Sequence, residues 1–181
     1  MIPFLIVIAV IVIDQVSKYI ILTTMQLGES FNLIKYVLNI TFTTNTGASF
    51  GILKNHRWVF MILSTVALVL MAASIVYLMQ KKLKGNTVII TALSLMLGGG
   101  SGNMIDRVIR GEVVDFFEFA FVNFAIFNAA DSFICIGSVL FCICVFSGKY
   151  SLFDKDKKDK AGETETTGEN TENGSVGDIG N

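Results

Sequence analysis

Charge is scarce in this chain. Only 16% of the 181 residues are Asp, Glu, Lys or Arg, while 52% are hydrophobic and fifteen are phenylalanine. That balance argues against an ordinary soluble domain, whose surface needs about a quarter of its residues charged. A basic excess is missing too. The tail from Lys149 to Asn181 holds five lysines and eight acids, which leaves nine basic and seven acidic residues before it. No nucleic-acid partner is expected from such a balance. Histidine occurs once, at His56, and the three cysteines, Cys135, Cys142 and Cys144, share one apolar segment. An odd number of thiols set in lipid argues against a disulfide framework. A cysteine nucleophile would want a nearby base, and His56 lies in a distant loop segment. The thiols therefore read as packing groups. Metal-type Cys/His spacing, a Walker loop, a dinucleotide turn and internal repeats are all missing. The run Gly98-Gly99-Gly100-Ser101-Gly102 has no following Lys-Ser/Thr, so it is not a phosphate loop. In a membrane helix it permits close helix contact or a local break.

What remains is hydrocarbon. Four segments, approximately 2–23, 58–79, 87–106 and 124–147, approach the roughly 20 residues needed to cross about 30 Å of bilayer core. The first lacks a basic n-region and is interrupted by Asp14 and Lys18, so it reads as a retained helix rather than a cleaved signal. Lys81, Lys82 and Lys84 crowd the link between segments two and three, and Lys149 follows segment four. Both places read as cytoplasmic, which puts both termini inside and the connections 24–57 and 107–123 outside. The expected architecture is an all-α membrane protein of four transmembrane helices with a small strand-rich extracytoplasmic platform. It forms one domain over 1–148, followed by a tail over 149–181 too polar to order itself.

The platform is expected within 24–57. Asn39-Ile40-Thr41-Phe42-Thr43 alternates polar and apolar residues, as a half-buried strand does, and Asn45-Thr46-Gly47 signals a turn. An irregular loop with an aromatic membrane anchor is the plainer alternative. In the second outer connection, Phe116, Phe117, Phe119 and Phe121 precede Phe124 and Phe127. They read either as an interfacial anchor or as the lipid-facing wall of a site around Asp115.

Four carboxylates belong to these segments. A carboxylate at the edge of hydrocarbon costs several kcal/mol unless paired, protonated or facing water. Asp14 and Lys18 are four apart on one helix face and can pair, tying segment one to its neighbours. Asn103, Asp106 and Arg107 share a face, and Arg107 and Arg110 should hold Asp106 ionised, which suits a brace. Asp115, flanked by Val and Phe, should be desolvated. Asp131 opens segment four, with Asn128 one turn earlier as a hydrogen-bond partner. If the fold brings Asp115 and Asp131 together, two charges about 4 Å apart repel by about 4 kcal/mol at an effective dielectric of 20. Such a pair keeps one proton near neutral pH. One member can then take a proton from water while the other protonates a carbonyl oxygen. Two other readings compete: a small proton- or ion-coupled carrier, which would prefer inverted repeats, and a tetraspan scaffold, which leaves the acids unexplained.

Five blocks stand in order along residues 2–147: Asp14-Gln15-Val16-Ser17-Lys18, Asn45-Thr46-Gly47-Ala48-Ser49-Phe50-Gly51, Gly102-Asn103-Met104-Ile105-Asp106-Arg107, Val113-Val114-Asp115-Phe116 and Phe127-Asn128-Ala129-Ala130-Asp131-Ser132. Together they resemble lipoprotein signal peptidase (signal peptidase II), the bacterial membrane aspartic protease. The resemblance implies a catalytic pair at Asp115 and Asp131. It implies that Asp14, Lys18, Asn45, Gly47, Gly99, Asn103, Asp106, Arg107, Asn128 and Ala130 shape or support the site. Ser49, Gly100 and Ala129 depart from the family pattern without removing a functional group. The implied reaction is removal of the signal peptide from diacylglyceryl-modified prolipoproteins, just before the lipidated cysteine. It needs neither metal nor organic cofactor. The implied setting is a monomer among the lipids of the bacterial cytoplasmic membrane, with its site near the outer face.

Overall fold

A computed structural model of the chain describes residues 1–46, 57–81 and 86–147. In chain order these form α1 (Ile2–Thr24), β1 (Ser30–Ile34), β2 (Leu38–Asn45), α2 (Arg57–Lys81), α3 (Asn86–Ile109), β3 (Val113–Phe119) and α4 (Ala129–Phe146). Gly47, the expected turn after Asn45, Lys82, Lys84 and the tail from Lys149 lie outside the described residues.

All four helices are long and apolar enough to cross a membrane. The polarity of α1 is inverted relative to a soluble helix. Its buried residues are Val10, Asp14, Lys18 and Ile21, one stripe at helical spacing. Ile8, Val12, Val16 and Ile20 are each at least half exposed on the other side. Charge turned inward and hydrocarbon turned outward is the arrangement a helix needs in lipid. The central helix is α3, against which α1, α2 and α4 all pack. Its glycines permit that. A Cβ on Gly99 would collide with the carbonyl oxygen of Ala130 in α4, and one on Gly102 with the Asp14 carboxylate in α1. Of the two roles open to this glycine run, close contact is the one used, for α3 continues unbroken through it.

At the end of the bundle remote from the strands, Ile75 and Leu78 of α2, Ile89, Ile90 and Leu93 of α3 and Cys144 of α4 form one apolar core. Cys144 thus packs as expected, while Cys135 and Cys142 are exposed free thiols. At the other end lies a three-stranded antiparallel sheet, ordered β1-β2-β3. The alternating stretch 39–43 falls within β2, as its period predicted. Ile40 and Phe42 close over Ile21 of α1 together with Val114 and Phe116 of β3.

Two expectations need correction. The connection 107–123 is not a plain outer loop. Helix α3 runs on to Ile109, Gly111 turns the chain with φ 82°, and Val113–Phe119 becomes the third strand with its first four residues buried. A left-handed φ of that kind suits glycine best. Segment four does not start at 124 either, because Asn128 caps a helix that begins at Ala129. The preceding backbone is used by the sheet, where Phe127 bridges to Phe117.

Candidate active site

Helix pairing brings two carboxylates together in the middle of the bundle end. Lys18 Nζ lies 2.8 Å from Asp14 Oδ2 and 3.0 Å from Asp106 Oδ2, with all three side chains fully buried. The second oxygen of Asp106 pairs with Arg110. The backbone N–H of Val114 donates to Asp106 at 3.3 Å, and that of Ala130 donates to Asp14 at 3.0 Å. Gln15 reaches both acids, 3.1 Å from Asp14 and 3.2 Å from Asp106, and the carbonyl of Gly102 at 3.1 Å. Through these contacts the two acids join α1, α3, β3 and the start of α4. Buried charges so fully paired tie together the elements that carry them.

One layer closer to the surface, Asp115 and Asp131 come together through shared amides. Asn128 Nδ2 donates to Asp115 Oδ1 at 2.6 Å, while its Oδ1 accepts the backbone N–H of Asp131 at 3.0 Å. Asp131 returns a bond to the Asn128 backbone at 3.3 Å, completing a capping box at the head of α4. Asn103 Nδ2 donates to Asp131 at 2.8 Å. Asn45, at the end of β2, bonds Asp115, which pairs across the sheet with Thr43. Asp115 is 3% exposed, whereas Asp131 is half-buried. Burial and then repulsion from Asp131 push the Asp115 carboxyl from 3.8 up to about 7, against the opposing pull of Asn128, Asn45 and Lys18.

Both carboxylates open into a cavity of about 720 Å³. Its polar floor carries Asn45, Asn103 and Arg107 beside the two acids. Its walls are apolar, from Leu68 and Met71 of α2, Ile134 and Cys135 of α4, and Phe119 and Phe124. Residues of α2, α3 and α4 all line the cavity. A few convergent polar groups at the base of an apolar cleft are the usual form of a small-molecule or peptide site.

The fold thus gathers Asp14, Lys18, Asn45, Asn103, Asp106, Arg107, Asp115, Asn128, Ala130 and Asp131 at one end of the bundle, with Gly99 where α3 meets α4. Gly47 lies outside the described residues. The cation expected for Asp106 is partly reassigned. Arg110 and Lys18 hold it, while Arg107 donates to the carbonyl of Asn103 at 3.1 Å and attracts Asp131, Asp115 and Asp106. The Asp115–Asp131 pair therefore lies within the field of the Arg107 cation. Gln15 was missed, although a polar amide next to Asp14 in an apolar run was a usable signal. Phe116, a candidate for the cavity wall, belongs instead to the core under the sheet.

Fold and site together define a polytopic membrane protein with a buried carboxylate pair at one end of its helix bundle. Residues 6–147 match the family Signal peptidase (SPase) II, and the chain belongs to that family. The lipoprotein signal peptidase of Halalkalibacterium halodurans is 44% identical over 140 residues, covering 76% of this chain and 86% of that protein. The lipoprotein signal peptidase of Bacillus subtilis is 40% identical over 162 residues, covering 88% of this chain and 99% of the relative. Among solved structures, a bacterial membrane enzyme determined by the in meso method at 2.3 Å resolution is 38% identical, with a TM-score of 0.70. That match covers 84% of this chain and 92% of the other. The carrier reading finds no support in these relatives.

Proposed function

We propose that this chain is an aspartic endopeptidase that removes signal peptides from diacylglyceryl-modified prolipoproteins, cutting just before the lipidated cysteine. The observation that carries the reading is the pairing of Asp115 and Asp131 through Asn128 at the base of an apolar cavity. Asp115, with its carboxyl pushed up to about 7, is protonated in a large share of molecules near neutral pH, and that form gives its proton to the scissile carbonyl oxygen. Asp131 takes a proton from the attacking water. The resulting tetrahedral carbon collapses as Asp131 passes its proton to the departing amine and the C–N bond breaks. A hydroxyl of the diol returns its proton to Asp115, leaving a carboxylic acid and an amine. Two carboxylates and water balance this reaction, so no metal or organic cofactor is required.

The apolar walls between α2 and α4 suit a substrate whose signal helix and acyl chains already lie in lipid. In the proposed orientation both termini are cytoplasmic, and the sheet, the site and the cavity stand at the outer face. The lysines after α2 and after α4 support this, and so does the placement of α1's end and α4's start on one side of the bundle. The domain spans 1–148 and acts as a monomer. The deciding experiment incubates purified protein with a diacylglyceryl-modified precursor peptide and sequences the product. Release of a fragment beginning at the lipidated cysteine supports the reading. Proton flux in vesicles without cleavage would overturn it.

A further inference from the structure

The two site amides are asymmetric groups, each with an oxygen that only accepts and a nitrogen that only donates. Either face could in principle be turned toward a carboxylate. An amide oxygen aimed at Asp131 would repel it, so something must fix the orientation. The Lys18 ammonium has three donors and no acceptor. One goes to Asp14 Oδ2 at 2.8 Å and another to Asn103 Oδ1 at 2.9 Å, while Asp106 Oδ2 stands 3.0 Å away as an ion-pair partner. Only the amide oxygen can face such a group, so Asn103 must turn its nitrogen to Asp131 Oδ1, 2.8 Å away. The same Oδ1 accepts Asn128 Nδ2 at 3.0 Å. Asn128 presents its nitrogen inward in the same sense, to Asn103 and Asp115, because its oxygen is taken by the backbone N–H of Asp131.

We infer that Lys18 is a positioning residue for the acid pair, acting through Asn103: its donor-only chemistry turns the Asn103 nitrogen to Asp131, in register with Asn128, whose oxygen is held by the Asp131 backbone N–H. The inference rests on the dyad proposed above. It gives Lys18 a task beyond neutralising Asp14 and Asp106, and it makes the deep brace and the surface pair one hydrogen-bonded unit. Asn103 is the joint between them, and Lys18 is fully buried beneath it, so water does not readily replace the ammonium.

The test is a double-mutant cycle on kcat in the Asp14→Asn background, which removes one acid along with the cation. Lys18→Met should lower kcat by about 10- to 100-fold, the range usual for groups that orient a reactive residue, with KM unchanged. Asn103→Leu should lower it similarly, and the two together should cost no more than the larger single loss. Lys18→Arg, also donor-only, should restore most of the activity. Losses that multiply, or a change in KM alone, would overturn the inference. If Lys18→Met does not fold, Asn103→Leu in the otherwise unaltered protein decides, since a normal kcat there ends the relay. Asp131→Asn is run in parallel. Turnover in that variant removes the dyad itself, whereas its inactivity beside a normal Asn103→Leu removes only the role of Lys18.

Discussion

Asp14 and Asp106 on one side, Asp115 and Asp131 on the other, are the same residue type a few ångströms apart in one bundle end, yet their surroundings differ in kind. The inner pair is fully buried and clamped by Lys18 and Arg110. The outer pair is held by the amides of Asn45, Asn103 and Asn128 and faces a cavity. The inner carboxylates are taken up by cations, whereas an amide holds a carboxylate in position while leaving it open to the cavity. On the function proposed above, partner chemistry, more than depth, separates the acids that brace from the acids that react.

The sharpest way to break this comparison is to neutralise each acid in turn. Asp115→Asn or Asp131→Asn should cost about 10²- to 10⁴-fold in kcat, the usual worth of a general acid or base. Each variant should still insert and fold. Near-normal turnover in either would move the chemistry elsewhere.

The opposite result is expected for the inner pair. Asp106→Asn leaves part of the fully buried Lys18 charge without a partner, a loss on the order of 3–5 kcal/mol of stability, while the more exposed Arg110 turns to solvent. Thermal unfolding in detergent should show a much lower Tm, with measurable cleavage retained at low temperature. A folded but dead Asp106→Asn would mean that the brace takes part in the reaction.

A smaller effect follows from pH. The Asp115 carboxyl sits at about 7 in the fold against 3.8 when unperturbed. The folded state therefore binds more protons than the unfolded one, and stability falls as pH rises from about 4 to about 7. Asp115→Asn has no such loss. Its Tm should match the parent at pH 4 and exceed it at pH 8 by several degrees, at roughly 2 to 4 °C per kcal/mol for a chain of this size. The parent's kcat should meanwhile decline above about pH 7 as Asp115 gives up its proton. A Tm difference that does not change with pH would remove the basis for assigning Asp115 the acid role.

Much of this contrast was legible before any coordinates. Asp14 and Lys18 at i,i+4 had to share a face, and Asp115 between Val and Phe had to be desolvated. The same spacing rule, applied more strictly, would also have placed the arginines. Arg110 is i+4 to Asp106, and Arg107 is i+4 to Asn103, which are the contacts formed. The third strand was hidden because Val113-Val114-Asp115-Phe116 is buried on both faces and shows no alternation. The start of α4 was blurred because Phe124-Ala125-Ile126-Phe127 extends the apolar run beyond the Asn128 cap. Hydropathy measures lipid preference, and it does not register a cap. Gln15 went unnoticed because a neutral amide raises no alarm in a hydrophobic segment, although it touches both inner acids.

The phenylalanines between 116 and 127 divide in the same way as the acids, and they give the finest test. Phe116 is 3% exposed, packed with Ile21, Ile40, Phe42 and Val114. Phe124 is 52% exposed and lines the cavity. Truncating Phe116 to Ala should cost on the order of 3–5 kcal/mol, a core loss that lowers activity on every substrate alike. Truncating Phe124 should leave Tm nearly unchanged and act on recognition alone. Acyl-chain contacts remote from the scissile bond can be used to hold the carbonyl against the dyad. Phe124→Ala should therefore lower kcat/KM several-fold for a diacylglyceryl-modified precursor and leave the unlipidated form of the same precursor untouched. Both forms are measured in one detergent, so that the ratio cancels differences in active fraction. An equal fall for both would place Phe124 against the peptide rather than the lipid. No fall for either would mean that the acyl chains lie along another wall of the cavity.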